Sequence, residues 1–272
     1  SEGAGRPFYG PYDAQELARE CASEIGIEII PFQEFVYVPS RDACLPVSEI
    51  EDGVETYSIS GTELRNRLEK GEEIPPWFSY PEVIEELRRA YPPRRDQGFT
   101  LFFTGLSGAG KSTIADALLP VLAEYGRSVT LLDGDDVRAL LSSELGYSRE
   151  HRDLNIRRIA FVAQEITRHR GVAVCAPIAP YGKVRAYARE TIGEVGGYFE
   201  IYLSTPLEVC ERRDPKGLYA KARAGLIKGF TGIDDPYEPP DSPEIEIDTS
   251  RISIEEAVEM IVERLRGSGY LP

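Results

Sequence analysis

Two apolar rhythms run through the second two-thirds of this chain. Short apolar runs, of strand length, alternate with stretches whose apolar residues recur every three or four positions. Residues 100–104, 128–132, 171–176 and 199–204 read as buried strands. Residues 111–125 read as a helix that Pro120 bends and Gly126 ends. Residues 153–169 read as another, with Ile156, Ile159, Ala163 and Ile166 on one face. A closing helix is predicted over 254–266, with Ser253 and Glu256 spaced as a capping box. Strand–helix alternation of this kind predicts an α/β fold, a parallel sheet with helices on both faces. Ligands then bind at the carboxyl ends of the strands.

The first 90 residues also carry an α/β pattern, in a smaller domain. A helix is predicted over 14–25 and strands over 28–31 and 35–38. Ser60 with Glu63 and Ser79 with Glu82 fit capping boxes for two further helices. The run Tyr91-Pro92-Pro93-Arg94-Arg95-Asp96-Gln97-Gly98 is polar and proline-rich, the composition of a boundary. The expected organisation is a domain over 1–92, a linker over 93–98 and a second domain over 99–272. No internal repeat or low-complexity tract is visible.

Composition narrows the partners. The formal net charge is −15, which argues against a nucleic-acid or anionic-membrane binder. No apolar run approaches membrane-spanning length, and the N-terminus lacks a signal pattern. The four cysteines are widely spaced, and Cys175 and Cys210 sit in apolar segments, as buried thiols do in a reducing compartment. A cytoplasmic protein without a disulfide framework is expected.

The strongest chemical signal follows the first strand of the second domain. Gly105-Leu106-Ser107-Gly108-Ala109-Gly110-Lys111-Ser112-Thr113 reads G-x-x-x-x-G-K-S, with a strand before it and a helix after it. This is a P-loop in the context the motif requires. Its backbone N–H groups and the following helix N-terminus cradle phosphate oxygens. Lys111 can reach the β/γ-phosphates and Ser112 can ligate Mg²⁺. The ligand is a nucleoside triphosphate. Since it is anionic, positive charge should gather in one cleft, drawn from Arg138, Arg149, Arg152, Arg157, Arg158, Lys183, Arg185, Lys216 and Lys221.

Three further constellations leave alternatives open. Asp133-Gly134-Asp135-Asp136 ends the second strand: one carboxylate can support Mg²⁺ while another takes a proton from an attacking hydroxyl, or Asp135 or Asp136 simply caps a helix. Residues 147–158 cluster aromatic, arginine and asparagine side chains that can stack on a base and grip an anion, or merely form an exposed basic helix start. Residues 210–237 are cationic and punctuated by glycine, fitting either a mobile lid over phosphates or a solvated loop.

Taken together, F-T-G-L-S-G-A-G-K-S-T, L-D-G-D-x-V-R, N-I-R-R, D-P-K-G-L-Y-x-K-A-R and K-G-F-T-G-I-D-D-P-Y-E resemble adenosine 5′-phosphosulfate (APS) kinase, from about Phe99 to the C-terminus. The resemblance implies ATP-dependent phosphorylation of the APS 3′-hydroxyl, with Mg²⁺. Carried over by position, it implies that Lys111 and Ser112 hold ATP phosphates and Mg²⁺, that Asp133 supports the metal and that Asp135 is the base. It implies that Arg138, Arg152 and Asn155 hold the phosphosulfate and ribose side, with Ile178, Gly217 and Leu218 beside the substrate. Tyr147 and Phe230 would clamp adenine, and Lys216 would stabilise the transferring phosphoryl group. A homodimer or higher homo-oligomer is expected. Many members carry a phosphorylatable serine where Ala179 stands here, so direct in-line transfer is the expected route.

In the amino-terminal part, Tyr9-Gly10-Pro11-Tyr12-Asp13-Ala14-Gln15, Ile59-Ser60-Gly61-Thr62-Glu63-Leu64-Arg65 and Ile74-Pro75-Pro76-Trp77-Phe78-Ser79 resemble the C-terminal portion of ATP sulfurylase. The Q-x-R-N and H-x-x-H elements of sulfurylase chemistry are absent, and the only histidines are His151 and His169. The family's G-R-D-H element normally lies just upstream of this start, so the chain is expected to be a remnant or a piece of a longer fusion. This part is expected to be structural or oligomerising rather than an active sulfurylase. The alternative for the whole is a regulatory domain that senses nucleotide without catalysis, as in some fungal sulfurylases. Those domains have lost P-loop residues that are intact here.

Overall fold

The structure, a computed structural model, describes residues 12–272. Tyr9, Gly10 and Pro11 of the sulfurylase-like run lie outside the described residues. The chain forms two compact units, the first comprising residues up to Asn66 with Glu73–Glu86, the second Arg67–Glu72 with Leu87–Pro272.

In the first unit, α1 (Asp13–Ile25) ends at Gly26, whose φ of 69° is the left-handed turn a glycine makes without strain. Strands β1 (Phe35–Val38) and β2 (Ala43–Pro46) pair antiparallel, with Tyr37 opposite Cys44. Tyr37 stacks on Trp77 with ring centroids 5.0 Å apart. The strand expected over 28–31 is absent. Tyr37 already exchanges backbone bonds with Tyr57 on one side of β1 while β2 takes the other, and Pro31 has no N–H to offer a ladder.

Helix α2 (Gly61–Lys70) starts as expected, with Ser60 Oγ accepting from Glu63 N at 3.1 Å. Helix α3 (Pro81–Ala90) starts later than its Ser79 signal. Tyr80 O accepts the first helical bonds, from Val83 N and Ile84 N, so Pro81 sits at N1, where its missing N–H costs nothing.

The second unit is built on β3 (Phe99–Gly105), every residue of which is buried. Helix α4 (Lys111–Glu124) follows it, then β4 (Val129–Asp133), α5 (Gly134–Leu140), α6 (Arg149–Arg168) and β5 (Val172–Ala176). Helix α7 (Gly182–Gly193), β6 (Gly197–Leu203), α8 (Leu207–Arg213), α9 (Leu218–Arg223), β7 (Ile245–Ile247) and α10 (Ile254–Gly267) complete it. The five strands form one parallel sheet in the order β4-β5-β3-β6-β7. Alternation along β3 builds both faces. Phe99, Leu101 and Phe103 join Ile114 and Leu118 of α4 and Ile261 and Leu265 of α10 in one core. Phe102 joins Ile159 and Ala163 of α6 and Val184 and Ala188 of α7 in the other. This is the α/β sheet with helices on both faces that the pattern predicts.

Helix α4 runs unbroken through Pro120. Helix α6 begins before residue 153 because Ser148 caps it, accepting from His151 N at 3.3 Å. The Ser253–Glu256 capping box is formed in both directions. Cys175 and Cys210 are buried thiols. Among the described residues no helix is long and apolar enough to cross a membrane.

Candidate active site

A cleft of about 1080 Å³ opens at the carboxyl ends of β3, β4 and β5. Ser107, Gly108, Gly110, Lys111, Ser112 and Thr113 form its floor. The loop depends on glycine at its first position. Gly105 has φ 148°, and a Cβ there would lie 2.8 Å from Leu203 O. Gly105, Leu106 and Ala109 do not line the cleft: Ala109 is wholly buried, and its carbonyl accepts from Thr249 Oγ1 at 2.9 Å.

Lys111 is buried, and its ammonium donates to Gly105 O at 2.9 Å and Leu106 O at 2.8 Å. Burial pushes its pKa down to about 8. Ser112 Oγ donates to Asp133 Oδ2 at 2.8 Å. Asp133 is also the N-cap of α5, its Oδ1 accepting from Asp135 N at 2.8 Å. The cap is therefore Asp133, not Asp135 or Asp136, and capping aims its second oxygen at Ser112. Burial alone would raise the Asp133 carboxyl, but bonds from Asp135 N, Ser112 and Asp136 N together hold it below the usual carboxylate range.

Asp135 projects from the first turn of α5 and pairs with Lys216 of the segment between α8 and α9. Both line the cleft, as do Arg138, Tyr147, Arg152, Asn155, Ile178, Leu218 and Phe230; Gly217 does not. The Arg138 guanidinium lies over the exposed Tyr147 ring, 4.7 Å from its centroid. Ile178 O accepts from Thr104 Oγ1 at 2.8 Å, fixing the cleft wall to β3. Asn155 is 5% exposed, and its Oδ1 is buried without a hydrogen-bond partner. An acceptor left so inside a cleft is suited to a ligand donor.

The segment after α8 is anchored rather than a plain solvated loop. Tyr219 is buried and donates from its hydroxyl to Ser107 O of the P-loop at 3.0 Å. Phe230 packs edge-on against Tyr219, centroids 4.9 Å apart. Cys210 belongs to α8.

Of the nine cations expected to gather, only Arg138, Arg152 and Lys216 line the cleft. Arg149 covers the Tyr181 ring, Arg157 covers Tyr187, Arg158 pairs with Glu144, and Arg185 is buried against Glu200 at 2.9 Å. Lys183 and Lys221 lie away from it. A guanidinium can serve protein carbonyls and rings as readily as a ligand, so sequence position alone does not sort them. Arg213 and Thr249 line the cleft and were not anticipated; Arg213 donates to Gly108 O at 3.2 Å and Thr249 Oγ1 at 2.8 Å. Its place directly before Asp214-Pro215-Lys216 was the available signal.

The family model described as adenylylsulphate kinase matches residues 97–248, and that described as ATP-sulfurylase matches residues 1–90. A sulfate adenylyltransferase of Phaeosphaeria nodorum is 52% identical over 268 residues, covering 98% of this chain and 47% of the relative. One of Mycosarcoma maydis is 53% identical over 265 residues, covering 96% and 46%. The chain thus spans about half the length of the curated relatives it matches. Among solved structures, a hexameric APS kinase from Thiobacillus denitrificans superposes with a TM-score of 0.78 at 46% identity, over 99% of this chain and 48% of that one. The Mycobacterium tuberculosis APS kinase in complex with AMPPNP and APS gives 0.60 at 42% identity, over 62% and 98%. With the family match covering more than half its length, the chain belongs to the adenylylsulphate kinase family.

Proposed function

We propose that this chain transfers the γ-phosphoryl group of ATP to the 3′-hydroxyl of APS, giving ADP and 3′-phosphoadenosine 5′-phosphosulfate in sulfate activation. The observation that carries the reading is one cleft that holds the P-loop lysine, a capping aspartate on Ser112, Asp135 on the helix that this aspartate caps, and the unpartnered Asn155 Oδ1.

Lys111 would exchange the Gly105 and Leu106 carbonyls for β/γ-phosphate oxygens. Asp135 would accept the 3′-hydroxyl proton as that oxygen bonds to the γ-phosphorus and the bond to the β-phosphate oxygen breaks. Lys216, already beside Asp135, would meet the charge on the transferring group. Arg138, Arg152 and Asn155 would hold the acceptor's anionic and ribose side, and Tyr147 and Phe230 its adenine.

The Ser112 hydroxyl and Asp133 carboxylate fit Mg²⁺ as it is held in P-loop sites, where phosphates and water complete the shell. No set of three or more His, Cys, Asp or Glu residues is needed, and none occurs among the described residues. Bound there, the ion would supply charge neutralisation across the β- and γ-phosphates.

The domain division at 1–92 and 99–272, a cytoplasmic homo-oligomer and a structural or oligomerising amino-terminal part complete the reading; the last is supported by the lack of any histidine before His151. A second reading, nucleotide sensing without transfer, draws support from the sulfate adenylyltransferase names of the curated relatives. A coupled ADP assay with Mg²⁺, with and without APS, separates the two. APS-dependent ADP release with a 3′-phosphorylated product by mass is expected. Tight product binding without turnover would replace the kinase reading with the sensor.

A further inference from the structure

One carboxylate outside the cleft gathers side chains from three separate segments. Asp235 accepts from Arg152 Nη1 of α6 at 3.1 Å. It accepts from the Tyr181 hydroxyl, just before α7, at 2.9 Å and 3.0 Å on its two oxygens. Its own segment adds Thr231 Oγ1 at 3.4 Å, and Gly232 N donates to Asp235 O at 2.8 Å. Asp235 does not itself line the cleft, whereas Arg152, Phe230 and Thr231 do.

The Arg152 guanidinium is correspondingly occupied. Its Nε donates to Tyr147 O at 2.9 Å, its Nη1 to Thr231 Oγ1 and Asp235, and its Nη2 to Gly229 O. Five N–H groups are available, so one on Nη2 is left over. Arg152 is thus clamped in orientation, with one donor spare. The Tyr181 side of the clamp is rigid too: the ring is buried beneath the Arg149 guanidinium, 4.4 Å from its centroid. Burial and the bond to Asp235 push its hydroxyl up to about 12, so it stays a donor across the working pH range.

We infer that Asp235 is a positioning residue for the acceptor side of the cleft: by holding Arg152 to Tyr181 and Thr231, it sets the angle of the free guanidinium N–H and the seat of Phe230. The inference rests on the proposed kinase reading, and predicts that Asp235 governs APS more than ATP, since the side chains that bond its carboxylate, Arg152, Tyr181 and Thr231, all lie outside the P-loop. An asparagine keeps the size of the side chain but offers one acceptor oxygen where two now serve three donors.

The test uses the full chain and the variants Asp235→Asn, Tyr181→Phe and Asp235→Glu. Initial rates are measured against APS and against ATP separately, with APS affinity by calorimetry and thermal unfolding of each variant. Asp235→Asn is expected to raise KM for APS roughly 10–100-fold, the span of one lost charged hydrogen bond or two, with KM for ATP nearly unchanged. Tyr181→Phe should move the same way by less, and Asp235→Glu should recover part of the loss. Equal losses on both substrates, or an unchanged APS affinity, would overturn the inference; if Asp235→Asn does not fold, Tyr181→Phe decides alone. Wild-type protein that binds APS without turning it over would sink the kinase reading and leave the calorimetric comparison to judge Asp235.

Discussion

Replacing Lys111 with methionine should stabilise the protein near neutral pH and destabilise it near pH 10. Burial lowers the Lys111 pKa from 10.5 to about 8. At 1.36 kcal/mol for each pKa unit, holding the ammonium in that site costs roughly 3 kcal/mol. Below pH 8 the lysine is protonated whether the chain is folded or not, so the full cost is present. Between pH 8 and 10.5 the folded chain has released a proton that the unfolded chain still binds, and stability climbs with pH. Methionine has no such term, but it also loses the bonds to Gly105 O and Leu106 O, about 1 kcal/mol each. The variant should therefore gain about 1 kcal/mol at pH 7 and be worse by between 1 and 2, approximately, at pH 10. Urea unfolding at pH 7, 8, 9 and 10 measures the difference, in which the titration of all other groups cancels. Far-UV circular dichroism is the right probe, because the helices and sheet around the P-loop belong to the second unit whereas the single tryptophan, Trp77, belongs to the first. A wild-type-to-variant difference that stays flat from pH 7 to 10 would refute the buried, proton-losing lysine.

Asp135→Asn should lower kcat about 10²–10⁴-fold, the usual worth of a positioned base, while affinity for a non-hydrolysable ATP analogue is kept; near wild-type turnover would remove it from that role. Ala179 has φ 45° and is buried, so Ala179→Ser should cost about 1–3 kcal/mol in thermal unfolding through its buried hydroxyl, with turnover close to wild type. Arg185 and Glu200 are buried together at 2.9 Å; Arg185→Met should destabilise by about 3–5 kcal/mol, and a loss under about 1 kcal/mol would mean that Arg189, 3.2 Å from Glu200, satisfies it alone.

The sheet was legible because β3 and β5 are buried along their whole length and β6 nearly so, the pattern of strands in a covered parallel sheet. β7 escaped notice because three residues, Ile245–Ile247, carry too little pattern to stand out from a loop. Residues 28–31 misled for the opposite reason: Ile29 and Ile30 have strand propensity, but propensity says nothing of whether an edge is free to pair with. The P-loop was legible as a motif, since its backbone conformation demands glycine at fixed intervals. Asp133 was harder. Capping and metal support looked like rival readings of one tetrapeptide, whereas the geometry makes the first the means of the second: Asp135 N fixes one carboxylate oxygen and leaves the other facing Ser112.

Charge was the least legible property, and the reason is physical. A chain of net charge −15 has to hold anions, and its cleft does so with five cations, Lys111, Arg138, Arg152, Arg213 and Lys216, against two carboxylates, Asp133 and Asp135. At physiological salt, charges more than about 8 Å away are largely screened, so a bound phosphate responds to this local excess and not to the acidic surface. Arg149, Arg157, Arg158 and Arg185 are spent on the protein itself, over rings, against glutamates and on carbonyls, and even Arg152 in the cleft devotes most of its donors to its own neighbours. Such self-bonding carries the arginine's functional value: a guanidinium whose rotamers are already fixed gives up little entropy when an anion takes its last donor.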